Sequence, residues 1–224
     1  MTPVEVSVDA AALRRAFRTA ECWNHNTHYH RRLPRWAPPP WGRVLDVGCG
    51  EGLLTRRIAP FAREVVGVDA DRGVIDRARE LAPALRYVHG DALTADVGDP
   101  FDLVTCFMVL HHVELEAGLT RLRALVAPGG TLVVVGGARP SGPLDYWWIL
   151  LGTIANWPAR LVRGYWEPGA PLKESHETYG RIWRESARVL PGVRFRHHLY
   201  WRYSLVWRAP VAVDPAQGGP ADGR

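Results

Sequence analysis

The stretch Val44-Leu45-Asp46-Val47-Gly48-Cys49-Gly50-Glu51-Gly52 decides how this 224-residue chain folds. Its first four residues read as a short buried strand interrupted by one carboxylate. The glycines at 48, 50 and 52 let the backbone turn sharply and approach a ligand that a Cβ would keep away. The spacing is not the G-x-G-x-x-G of a dinucleotide fingerprint, because Leu53 holds the sixth position and the third glycine comes one residue early. A glycine-rich turn also serves as a plain strand-to-helix connection, so the surrounding segments must decide its meaning.

They repeat one pattern. Apolar, β-branched runs at 44–47, 65–68, 85–89, 101–106 and 132–135 alternate with helical segments, which predicts an α/β chain with a parallel sheet covered on both faces. Asp71 is placed to cap a helix over 72–81, and a helix over 115–126 should stop at Pro128-Gly129-Gly130. An aromatic stretch at 144–166, a helix over 178–190 and strands at 193–199 and 203–208 follow. Pro38-Pro39-Pro40 can neither continue a helix nor donate to a sheet and ends an N-terminal helical cap. The resulting division is a lid at 1–40, a core at 41–137, an aromatic and helical insertion at 138–191, closing strands at 192–210 and a tail at 211–224, expected to be disordered from Pro215.

The acids sit at strand ends. In VVGVDAD, Asp69 ends the strand, 23 residues after Asp46, where a carboxylate can accept both hydroxyls of a ribose, and Asp91 follows the third strand in HGDAL. With FDLVTCFMVLHHV and LVAPGGTLVVVG in the same order, these pieces resemble the class I S-adenosylmethionine-dependent methyltransferases. Within that class the likeness is to the small-molecule branch of ubiquinone and menaquinone biosynthesis enzymes, and it covers residues 41–136. The C-terminal pattern TYGRIWRESARVLPGVRFRHHLYWRYSLVW is similar to that of small actinobacterial enzymes of the class. The resemblance implies a Rossmann-like sheet of seven mostly parallel strands with an antiparallel C-terminal hairpin, helices on both faces and an N-terminal helical lid. It also implies S-adenosylmethionine as cofactor and S-adenosylhomocysteine as product. Asp46, Gly48 and Gly50 would line the methionine end, and Asp69 with Ala70 would hold the ribose. Asp91 would bond the adenine amino group, Ala92 would offer its backbone N–H to the ring, and Phe107 would lie beside the cofactor. Arg202 and Tyr203, in the last hairpin, are expected to pack rather than react.

Methyl transfer is an in-line displacement, so the chain chiefly has to align a nucleophile and exclude water. His111 and His112 follow the fourth strand, on the side where open α/β sheets bind ligands. Two readings stand for them: a general base for the acceptor, or helix-start residues that hydrogen-bond the backbone. In CWNHNTHYHR, 22–31, an α-helix would put His25 and His28 on one face with Tyr29 near His25; the segment resembles the family's lid, with His28 and Tyr29 as contacts to cofactor or substrate. Trp147, Trp148, Trp157 and Trp166 gather after the fifth strand, and they suit a pocket wall for a flat or apolar acceptor, a dimer interface or core equally.

Composition narrows the classes. At 47% hydrophobic and 23% charged residues, the chain fits one globular domain. The net charge of +5 is carried by scattered arginines, Lys173 being the only lysine, so a solvated basic face is preferred over a nucleic-acid surface. The fourth strand ends in Phe107-Met108-Val109-Leu110 rather than an Asn-Pro-Pro-Tyr type of turn, which also disfavours nucleobase amines. No acid follows it to hold magnesium, and the histidines of 22–31 lack further ligands for zinc, so no metal is expected. Cys22, Cys49 and Cys106 fit reduced thiols. No secretory signal is evident, and the longest apolar run, 146–157, falls short of the about 20 residues that span a bilayer. The expectation is a cytoplasmic monomer or homodimer, with no membrane or nucleic-acid partner, methylating a secondary metabolite or quinone-like precursor at oxygen, carbon or nitrogen. The rivals are a non-methylating elimination or cyclisation on the same fold and an interaction protein that retains the pocket.

Overall fold

Alternate residues of the apolar runs face opposite sides of one sheet, and that alternation builds the core. The computed structural model describes residues 8–18, 23–163 and 175–211; Cys22, Trp166, Lys173 and the tail from Pro215 lie outside them. In chain order the elements are α1 (Ala10–Ala16), a 3₁₀ turn (Thr27–Arg32), α2 (Leu33–Trp36), β1 (Trp41–Val47), α3 (Leu53–Ile58) and a 3₁₀ turn (Ala59–Phe61). Then come β2 (Ala62–Asp69), α4 (Arg72–Leu81), β3 (Arg86–His89), β4 (Phe101–Phe107), a 3₁₀ turn (Leu110–His112), α5 (Leu115–Ala124) and β5 (Val126–Gly137). The chain continues through α6 (Pro143–Arg163), α7 (Tyr179–Val189), β6 (Arg194–His198) and β7 (Arg202–Arg208).

The seven strands form one sheet in the order β3-β2-β1-β4-β5-β7-β6. Pairing is parallel from β3 through β5, and β7 runs antiparallel to both β5 and β6. Leu45, Val47, Val66, Val68 and Val104 pack on one side with α5 and α7; Val44, Val65, Leu103, Val133 and Val135 pack on the other with α3 and the N-terminal segment. This is the Rossmann-like mixed sheet with an antiparallel C-terminal hairpin that the family resemblance implies.

Caps explain the helices that were legible. Asp71 accepts from Gly73 N and Val74 N to start α4, and Thr178 accepts from Arg181 N to start α7. Two segments differ from expectation. Pro128-Gly129-Gly130 does not end α5, which stops at Ala124, but lies inside β5. The pairing with β4 jumps from Phe101↔Val126 to Leu103↔Thr131 there, and Gly129 N and Ala209 N find partners in Pro210 O and Gly130 O. As far as its described residues go, to Arg163, the aromatic stretch is part of a single helix of 21 residues, α6. Its start is fixed by Asp145, whose Oδ2 accepts from the backbone N–H groups of Ser141 and Gly142 and from the Ser141 hydroxyl.

The N-terminal segment is less helical than its composition suggests. Asn24 Oδ1 accepts from Asn26 N and Thr27 N, a local turn that competes with helix and delays its start to Thr27. The predicted shared helical face of His25 and His28 is therefore absent. His25 stacks on Tyr200 at 5.2 Å and 9° and bonds Asn156 Oδ1 at 2.8 Å, tying the segment to the β6–β7 turn and to α6. Tyr29 donates its hydroxyl to Leu199 O at 2.6 Å, and Arg202 gives two N–H groups to Asn26 Oδ1. In that turn Tyr200 and Trp201 both adopt φ +58°, a region that bulky residues rarely occupy.

This clasp is built on neutral histidines. Burial lowers His25 and His30, with Arg57 adding to the effect at His30. His198 is lowered to about 4 by burial and by Arg32 and Arg196, while its Nε2 bonds Ser204 Oγ. An unfolded histidine takes a proton near pH 6.5 that the folded clasp refuses, so this stability is complete above pH 6.5 and is lost as pH falls toward about 4. Thermal melts across that window should show a falling midpoint. Because carboxylates titrate there too, the test is the difference between parent and His198→Gln, which keeps the bond to Ser204: the variant should lose stability less steeply with acid.

Candidate active site

The site begins where β1 ends. Gly48 N and Cys49 N donate to Val68 O at 2.7 and 3.1 Å, folding the glycine turn back over β2. Gly48 holds φ +69°, and a Cβ there would run into the Val109 side chain. Gly50, at φ +51°, would point a Cβ into open space. Its N–H donates to Asp69 Oδ2 at 2.9 Å, while Asp69 Oδ1 accepts from Asp71 N at 3.0 Å. Each Asp69 oxygen keeps a lone pair for a further donor.

These residues wall a cleft of about 450 Å³ above the C-terminal strand ends. It sits at β1 and β4, where the strand order reverses, the position at which open α/β sheets bind ligands. Nine of the residues singled out in the sequence line it: Gly48, Gly50, Asp69, Ala70, Asp91, Ala92, Phe107, His111 and His112. Asp91 is exposed and accepts from Leu93 N at 2.7 Å. His111 is half-buried and His112 exposed on the 3₁₀ turn after β4, their rings 4.1 Å apart. Phe107 meets the His30 ring edge-on at 5.2 Å.

Asp46 lies underneath rather than on the wall. It is 2% exposed, with Oδ2 accepting from the Thr55 hydroxyl and Oδ1 from the Thr105 hydroxyl, each at 2.8 Å. Burial, reinforced by the nearby charge of Asp69, pushes its pKa up to about 6 against those two bonds. His28 and Tyr29 are buried in the clasp and do not line the cleft. Trp148 stacks on His197 at 6.3 Å, and Trp147 faces outward; neither reaches the cleft. Cys49 and Cys106 are free and buried, and desolvation raises both thiols, that of Cys106 to about 12, so they stay protonated.

The sequence reading did not pick out Asn26, Met108, Val109 and Val113 as site residues, although they line the cleft. The Asn26 side chain is held by a long-range bond to Arg202. Met108 turns at φ +60° with its N–H donated to Val135 O at 2.7 Å, which no local signal announces.

A doubly covered sheet of this order, with a glycine turn and acids at its strand ends, defines a Rossmann-like cofactor-binding enzyme. Residues 44–130 match the methyltransferase domain family. Over 194 residues the chain is 40% identical to the uncharacterized methyltransferase Rv0089 of Mycobacterium tuberculosis, covering 84% of this chain and 98% of that one. Over 100 residues it is 36% identical to a mitochondrial ubiquinone biosynthesis O-methyltransferase of Schizosaccharomyces pombe, covering 41% of this chain and 36% of that protein. The solved N-methyltransferase NodS of Bradyrhizobium japonicum, in complex with S-adenosylhomocysteine, is alike in fold at TM-score 0.58 and 18% identity, covering 89% of this chain and 97% of that one. The chain belongs to the class I S-adenosylmethionine-dependent methyltransferases. Its own residues fit that cofactor: the space that a Cβ at Gly50 would enter is empty of protein atoms, and a carboxylate with spare lone pairs stands beside it.

Thr105→Val keeps the side-chain volume but leaves Asp46 Oδ1 without its hydroxyl donor. The expected loss is about 1–3 kcal/mol of folding stability, read from urea unfolding, because the carboxylate stays buried.

Proposed function

We propose that this enzyme moves the methyl group of S-adenosylmethionine to a small aromatic or apolar acceptor of the quinone-precursor or secondary-metabolite kind, at oxygen, carbon or nitrogen, with His112 or His111 as general base. One observation carries the reading: both histidines open into the same cleft as Gly50, Asp69 and Asp91. The part of the cleft beside them, formed by Asn26, Phe107, Met108, Val109 and Val113, is mostly apolar. The partial match to ubiquinone biosynthesis O-methyltransferases points toward the same acceptor chemistry.

The bound cofactor supplies a methyl group activated by its sulfonium. Asp69, with Ala70, holds the ribose hydroxyls; its two backbone donors, Gly50 N and Asp71 N, fix its orientation. Asp91 takes the adenine amino group, the Ala92 N–H takes the ring, and Gly48 and Gly50 leave room for the methionine end. Asp46 acts through the turn above it rather than by contact. His112, the more exposed of the pair, receives the acceptor's proton, and Phe107 and Val109 exclude water from the reacting atoms.

Calorimetry with S-adenosylhomocysteine tests the ribose role. Asp69→Ala should weaken binding by about 1.5–3 kcal/mol, the scale of hydrogen bonds to a charged group, and unchanged affinity would remove the assignment. Labelled methyl transfer to phenolic and quinol acceptors tests the base. His112→Ala should lower turnover by about 10²–10⁴-fold while S-adenosylhomocysteine still binds, whereas full activity would leave His112 a structural residue.

A further inference from the structure

Helix α6 is seated by one side and bare on the other. Gly152 lies against the Tyr200 backbone, Asn156 bonds His25, and Ala155 and Ala159 pack on the core. On the outer side Trp147, Leu150, Ile154, Trp157 and Leu161 recur at one helical face and are 57, 48, 63, 75 and 71% exposed. From the first tryptophan to the last leucine this stripe runs about 21 Å at the rise of an α-helix. Soluble chains rarely leave a continuous apolar band of that kind uncovered. Among the described residues no helix is long and apolar enough to cross a membrane. A helix that is not apolar enough all round to cross a bilayer can still lie on one by a single apolar face.

Charge selects the occupant. The acid of α6 is Asp145, buried and engaged by Ser141 and by His197 at 2.9 Å, while Arg160 is exposed three residues after Trp157. The segments packed beside the helix, 23–36 and 194–208, contain no Asp or Glu and expose Arg31, Arg35, Arg194 and Arg196. This positive field reaches the clasp: besides burial, Arg202 and Arg160 disfavour protonation of His25, and Arg32 and Arg196 that of His198. A second copy of the chain would set Arg160 and this cationic flank against their own likeness. Phospholipid acyl chains suit the tryptophan and leucine stripe, and anionic headgroups suit the arginines.

We propose that the outer face of α6 docks on an anionic lipid surface. The proposal goes beyond the methyl-transfer reading and does not depend on the acceptor. Docking would place α6 between the membrane and the clasp, where its inner-side Asn156 holds His25, the neighbour of the cleft residue Asn26; the further step, that an apolar acceptor enters from the lipid, rests on the acceptor proposed above.

Flotation of the full chain with phosphatidylcholine vesicles containing phosphatidylglycerol, against phosphatidylcholine alone, reads binding without turnover. The chain should float with the mixed vesicles and less with the neutral ones, its tryptophans should be quenched by brominated acyl chains, and added salt should release it. Ile154→Ser combined with Trp157→Ser should abolish flotation, with S-adenosylhomocysteine affinity by calorimetry unchanged. Arg160→Glu should weaken partitioning at least about fivefold, the scale of one basic residue at an anionic surface. If the double variant does not fold, Leu150→Asp on the same stripe gives the same readout. Wild-type chain that stays in the aqueous fraction, or stripe variants that float as well as the parent, would overturn the proposal. So would a dimer in solution that the stripe substitutions dissociate, formed by a chain that binds no vesicle.

Discussion

A carboxylate buried among apolar strands must find donors, and Asp46 finds them on two different elements. Thr105 belongs to β4 and Thr55 to α3, so satisfying one side chain fixes three elements to one another just below the point where the strand order reverses. The glycine turn is the next part of β1, so its place follows from that anchor. Asp69 then takes the N–H of Gly50 across from β2 and sets the width of the cleft. Replacing this pair of acids by apolar residues could leave a packed sheet, but the turn would lose what orients it.

The clasp extends the same logic to the other rim of the cleft. Asn26 reaches the cleft with Arg202 gripping its side-chain oxygen from β7, and His25 is seated by Tyr200 and Asn156. Neutral, buried rings make this assembly, so its integrity is tied to proton activity.

The legible parts of the fold share a cause: they are determined locally. The β-branched runs and the Asp71 cap each act within a few residues, and they stand where the sequence puts them. The cleft was legible for a related reason, since its glycines and acids sit at the ends of those strands. What escaped reading depends on distant partners. His28 and Tyr29 turn into the core because Tyr29 meets Leu199 and His28 lies 5.0 Å from Tyr200. The PGG turn became strand because residues 209 and 210 bond to it. Pro158 and the near-continuous apolar content of 144–162 hid α6, although Asp145 after Ser141 is a usable start signal. Asp46 was readable in part, for a carboxylate flanked by two strand residues that are both buried cannot easily belong to an open wall.

The contacts that close the clasp join residues far apart in sequence: Tyr29 to Leu199 spans 170 positions and Asn26 to Arg202 spans 176. Closing so long a loop carries a large entropic cost until the sheet has already gathered both ends, which places these bonds late in folding. During synthesis, β7 must leave the ribosome before the sheet has a strand for Arg202 to project from. The glycine turn and strand-end acids can thus settle on a nascent chain while the clasp side of the cleft is still open, which makes that rim the final piece of the molecule to take shape.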